Sequence, residues 1–211
     1  MKKYRAIVLC DGEPPSKNLI TEEMNNSDLF IVTDGGAYTV LKYNLTPDII
    51  IGDMDSFTDS DAHSFTVIKD NDQETNDLEK ALNFALKQEC TDVIVLGASG
   101  QRVDHTLKNL SVLKQFTPKF MSIAFRDSYG LLFLLPKKYT VYQPIGTVIS
   151  LFPLSGKVEG IKTTGLKYPL DYETLENGVR DGSSNIVAQY PAEISYERGD
   201  LLIFIGDNSD I

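Results

Sequence analysis

The chain has 211 residues, of which 42% are hydrophobic and 24% charged, and a formal net charge of −10. That is enough apolar material for one large core or two small ones, and the acidic balance argues against a nucleic-acid partner, whose phosphates call for a Lys and Arg surplus. It leaves room for a nucleotide bound with a divalent cation that neutralises carboxylates and phosphates together.

From the N-terminus, YRAIVL (4–9), LFIVT (29–33), DIII (48–51), TVI (66–68), DVIVLG (92–97) and MSIAF (121–125) are short Ile- and Val-rich runs without alternating polarity. Such runs fit strands buried on both faces of a parallel sheet. Between them, DLEKALNFALKQE places Leu78, Ala81, Leu82 and Ala85 on one helical stripe, with Asn76 as N-cap and Glu79 at the third helical position. A further helix starts near Asp104 and ends before Pro118. Past residue 125, LLFLL, TVYQ, TVISLF, KVEGIKTT, NIVAQY, EISYE and DLLIFI alternate with turn-forming segments and show no helical period. The expected fold is therefore α/β: a parallel-sheet domain with alternating helices over residues 1–125, then an all-β domain over 126–211.

Cys10 and Cys90 lack C-x-x-C spacing, which disfavours zinc or a disulfide framework. The first apolar stretch, about six residues, is too short for an export signal, and no window nears the roughly 18 apolar residues of a membrane span. A cytoplasmic protein with no membrane partner is expected.

Ligands of open α/β sheets bind beyond the carboxyl ends of the strands. There the sequence places DGGA (34–37), GDMDS (52–56) and GASGQRVDH (97–105). In GDMDS the i, i+2 spacing sets Asp53 and Asp55 on one side of an extended backbone, a pair of hard oxygen donors suited to magnesium. Asp59 and Asp61 are read as facing solvent. Asp77 is a third carboxylate, although an aspartate in a first helical turn also serves the macrodipole. Arg102 and Asp104 admit a plain surface ion pair as an alternative. The glycine loops match neither a P-loop nor a dinucleotide fingerprint, and His63 and His105 are too few for a histidine metal site.

Taken in order, DGGA, TPDIIIGDMDS, DQETNDLEKAL, LGASGQRVDHTLKNL, SLFPLSG, TTGLKYPLDYETLENG and SSN resemble the signature series of thiamine pyrophosphokinases over most of the chain. The resemblance implies a Rossmann-like nucleotide-binding catalytic domain over residues 1–125 and a β-sandwich thiamine-binding domain over 126–211, in a homodimer with composite active sites. It would transfer the pyrophosphoryl group of ATP to the hydroxyl of thiamine, giving thiamine diphosphate and AMP. It implies Mg²⁺ on Asp53, Asp55 and Asp77, and catalytic roles for these with Arg102 and Asp104. The implied ATP-binding set is Asp34, Gly35, Gly36, Gln73, Asn76, Arg102, Asp104 and His105. Ser184, Asn185 and Tyr168 form the implied thiamine-binding set. The chain departs from the pattern twice. Asn76 stands where the family commonly has Thr, and the chain has no Trp, which leaves Tyr168, Tyr172 or Tyr190 to stack on the thiamine ring. No general base is identified; Asp34 and Asp104 are candidates by location. The rival readings are a magnesium-dependent diphosphokinase for a pterin-type heterocycle, and a non-catalytic nucleotide- or thiamine-binding regulator.

Overall fold

The computed structural model describes residues 4–54 and 65–207. It divides into two compact units, Met1–Ser128 and Tyr129–Ile211.

In the first unit the strands are β1 (Arg5–Leu9), β2 (Leu29–Thr33), β3 (Ile49–Gly52), β4 (Val67–Lys69), β5 (Asp92–Leu96) and β6 (Ser122–Arg126). They lie in the order β6-β5-β1-β2-β3-β4, and every neighbouring pair is parallel. All six predicted strand runs form strands. Residues such as Ile7, Leu9, Phe30, Val32, Ile50 and Leu96 share one buried cluster, and each contributes about 1.5–3 kcal/mol by leaving water. Since β2, β3 and β4 extend from β1 in one direction and β5 and β6 in the other, the strand order switches at β1, and a crevice opens at the carboxyl ends there.

The helices are α1 (Lys17–Asn25), α2 (Ala37–Tyr43), α3 (Asp77–Lys87) and α4 (Val103–Phe116). The predicted stripe of α3 is buried, and its capping box is complete: the Asn76 side chain accepts from the Glu79 amide and the Glu79 carboxylate accepts from the Asn76 amide. A 3-10 turn over Thr117–Lys119, with Pro118 inside it, follows α4. No helix among the described residues is long and apolar enough to cross a membrane.

The second unit contains β7 (Gly130–Leu134), β8 (Lys138–Val141), β9 (Val148–Pro153), β10 (Val158–Thr164), β11 (Glu173–Leu175), β12 (Gly182–Ile186), β13 (Ala192–Ser195) and β14 (Leu201–Gly206). They form two antiparallel sets, β12-β9-β14-β7 and β11-β10-β13-β8. Alternate residues of both sets, including Ile149, Leu151, Val158, Ile161, Ile194 and Ile203, share a core, so this unit is sandwich-like. Two details differ from the sequence reading. β11 has no counterpart there, and the strand expected over NIVAQY (185–190) instead spans Gly182–Ile186. The shift accompanies an irregular register against β9 between Gly182 and Asn185, with Ser184 at φ +57°. That bulge-like irregularity hides the strand's alternating pattern.

Candidate active site

At the strand switch, a cavity of about 540 Å³ is lined by the ends of β1, β2, β3 and β5 and the starts of α3 and α4. Of the residues singled out in the sequence, Asp53, Gln73, Asn76, Asp77, Arg102 and His105 line it. Gln73 Nε2 donates to Asp53 Oδ2 at 3.2 Å, which joins the loop before α3 to the end of β3. Asp77 occupies the first position of α3. The readings of Asp55, Asp59 and Asp61 lie outside the described residues.

Asp34, which the resemblance assigns to an ATP-binding loop, directly follows β2. It is 2% exposed, and its carboxylate accepts from the amides of Gly35 at 2.6 Å and Met54 at 3.1 Å. It therefore pins the loop after β2 to the loop after β3. The neighbouring glycines are required by close approach: a Cβ on Gly52 would lie 2.6 Å from Asp34 Cγ, and one on Gly35 would lie 2.7 Å from Asp11 Cβ. Gly36 is the N-cap of α2.

The electrostatics divide the site. Burial, then the charge of Asp77, pushes the Asp34 carboxyl up to about 6, with Asp53 adding to the shift and the Gly35 amide opposing it. Burial also raises Asp11, aided by Asp77 and opposed by His105. By contrast, Arg102 Nε and Nη2 donate to the two oxygens of Asp104 at 3.1 and 2.6 Å. That paired hydrogen bond brings Asp104 down to about 2. Both side chains are mostly exposed, so the ion-pair alternative describes the geometry of this pair.

The sequence reading missed Asp11, Lys80 and Asn109, all of which line the cavity. Asp11 lies two residues beyond β1, and its place at a strand end was its signal. Lys80 is 4% exposed, and its ammonium lies 3.1 Å from Asp77 Oδ1. A lysine one residue from the apolar stripe of α3 was its signal. Asn109 is buried between α3 and the loop after β5.

In the second unit, Asn185 is 6% exposed and its amide is spent within the chain. Its oxygen accepts from the amides of Tyr168 at 3.0 Å and Ile186 at 2.9 Å, and its nitrogen donates to the Tyr168 carbonyl at 2.7 Å. Asn185 thus clamps the GLKYPL segment, while Ser184 is exposed. The rings of Tyr168, Tyr172 and Tyr190 are all exposed, with Tyr190 edge-on to Tyr142.

Two family models match the chain: "Thiamin pyrophosphokinase, catalytic domain" over residues 20–125 and "Thiamin pyrophosphokinase, vitamin B1 binding domain" over residues 137–201. The chain belongs to the thiamine pyrophosphokinase family. Thiamine pyrophosphokinase 1 of Oryza sativa subsp. japonica is 31% identical over 224 residues, covering 91% of this chain and 83% of the relative. Thiamine pyrophosphokinase of Bacillus subtilis is 27% identical over 214 residues, covering 94% and 97%. The crystal structure of the Bacillus subtilis thiamine pyrophosphokinase superposes with a TM-score of 0.79 at 26% identity, covering 96% of this chain and 99% of that one. The yeast thiamin pyrophosphokinase shares the fold, with a TM-score of 0.86 at 17% identity over 98% of this chain and 87% of that one.

Proposed function

We propose that this chain is a thiamine diphosphokinase, an enzyme that transfers the pyrophosphoryl group of ATP to the hydroxyl of thiamine and releases AMP. The feature that supports the reading is the cavity at the strand switch, whose lining brings together Asp53, Asp77, Arg102 and His105. In this reading the first unit is the Rossmann-like catalytic domain, at residues 1–125 of the sequence reading, and 126–211 is the thiamine-binding domain.

Among the described residues no group of three or more His, Cys, Asp or Glu is arranged to hold a metal ion. The donors that are present still fit one. Asp53 and Asp77 offer hard oxygens in the cavity lining, and their charges add to the burial that makes Asp34 harder to ionise. Mg²⁺ on Asp53 and Asp77, with Asp55 as the third member, would supply charge neutralisation at the transferring phosphates.

The chain's own residues supply position and field. Lys80 holds Asp77 at one oxygen, and Gln73 does the same for Asp53. Arg102 brings a fixed cation to the nucleotide end, held by Asp104. Asp104, kept down to about 2, is too weak a base to take an alcohol proton, and Asp34 is enclosed by its amide partners. Neither candidate base is therefore assigned that role. Pyrophosphoryl transfer through a loose transition state needs little base assistance, so orientation and electrostatics dominate.

Thiamine would meet Ser184 and the Tyr168 ring, with Asn185 fixing the Tyr168 backbone. The reading includes a homodimer with composite sites, which a two-fold arrangement would supply in identical pairs. It also includes a cytoplasmic location, in keeping with the two buried free thiols. The direct test is AMP release from MgATP with thiamine, compared with a hydroxymethylpterin as acceptor. Thiamine-dependent AMP supports the reading, whereas release with the pterin alone, or with neither acceptor, overturns it.

A further inference from the structure

The start of α3, the middle of α4 and the loop after β5 are tied together by three hydrogen bonds that run in one sense. The Glu79 amide donates to Asn76 Oδ1 at 2.9 Å, Asn76 Nδ2 donates to Asn109 Oδ1 at 2.9 Å, and Asn109 Nδ2 donates to the Ala98 carbonyl at 2.8 Å. The opposite amide orientation of Asn109 would set carbonyl against carbonyl at Ala98, so the sense of the chain is fixed. Bonds aligned in this way polarise one another. Asn109 is 8% exposed, and its neighbour Lys108 places Nζ 2.8 Å from Glu79, whose carboxylate closes the cap of α3. Asp77 is the residue directly after Asn76 in this cap. Its carboxylate is therefore placed by a cap whose side chain is held by Asn109, and Asn109 is held by the strand-end loop across the cavity.

We propose that Asn109 is a positioning residue, which sets the Asp77 carboxylate relative to the Gly97–Gly100 loop by holding the Asn76 cap to the Ala98 carbonyl. The inference rests on the functional reading above, and it assigns Asn109 no contact with substrate. Loss of the bridge lets α3 keep its helix through Glu79 and Lys108 while the distance from Asp77 to the loop is no longer fixed.

The test is binding of α,β-methylene-ATP in the presence of Mg²⁺, measured by calorimetry on the full chain. Asn109→Ala is expected to weaken binding about tenfold, the low end for removing a group behind a metal ligand. Asn109→Leu, which keeps the volume without the hydrogen bonds, should do the same. In an Asp77→Asn background either change should cost less than about twofold, and in an Arg102→Ala background it should keep its full effect. A residue that only stabilised the fold would lower the melting temperature without this selectivity, weakening binding alike in all three backgrounds. Equal effects in the Asp77→Asn and Arg102→Ala backgrounds, or unchanged binding in folded Asn109 variants, overturn the inference. A wild type that fails to bind the analogue and gives no thiamine-dependent AMP overturns the functional reading and this inference with it.

Discussion

Carboxylates at the strand ends and at the start of α4 are shifted in opposite directions. Asp34 and Asp11, at the ends of β2 and β1, are harder to ionise than ordinary aspartates because they are buried and sit near Asp77. Asp104, in the first turn of α4, is easier to ionise because Arg102 binds both of its oxygens in the open. At the strand ends the carboxylates are crowded, with Lys80 on one oxygen of Asp77, whereas Asp104 has both oxygens bound by one guanidinium. The difference teaches that a carboxylate's ionisation follows its burial and its neighbours, so carboxylate count alone does not mark a cation site.

The strongest way to break this comparison is to remove charge from the crowded carboxylates. Asp53→Asn and Asp77→Asn should each lower thiamine-dependent AMP release by at least about a hundredfold while leaving circular dichroism unchanged. Near-normal rates in both would return the cluster to a structural role. At the start of α4, Arg102→Ala should reduce kcat/KM for ATP by roughly ten- to a hundredfold, since a charge-assisted partner of the phosphates is lost. No change would mean that the pair with Asp104 is only a surface ion pair.

A smaller effect concerns pH. The folded protein holds the Asp34 carboxyl at about 6, above its unfolded value, so its proton is bound more tightly in the fold. The associated stability is present at low pH and is lost as pH rises through about 6. In metal-free protein, the melting temperature of wild type relative to Asp34→Asn should therefore rise as pH falls from about 7.5 to 5. A difference that stays flat over that range contradicts the shift. The smallest expected change is local: Arg102→Ala should let the Asp104 carboxyl climb from about 2 toward the ordinary aspartate range, as followed by carboxyl-carbon NMR.

The sequence made the parallel sheet legible because strands buried on both faces must be continuously apolar, and Ile49, Ile50 and Ile51 can hardly be read otherwise. It made the cap of α3 legible because Asn76 and Glu79 act through local backbone groups. What it hid depends on which way side chains turn. Nothing local distinguishes Asp34, pinned by Met54 from the next strand end, from an aspartate open to ligand. Nothing local in the sequence shows that the Asn185 amide closes on Tyr168, 17 positions away. Asn109 belongs to the motif GQRVDHTLKN, but its partners Asn76 and Ala98 come from other elements. In the second unit β11 is only three residues long, too short for a periodic signal.

The central claim, that this site moves a pyrophosphoryl group rather than a single phosphoryl group, is tested most directly by following the label. The protein is incubated with Mg²⁺, thiamine and ATP labelled in its γ-phosphate. The account predicts that the label appears in thiamine diphosphate with one AMP released for each product formed. Label in thiamine monophosphate, with ADP as the partner product, would contradict it.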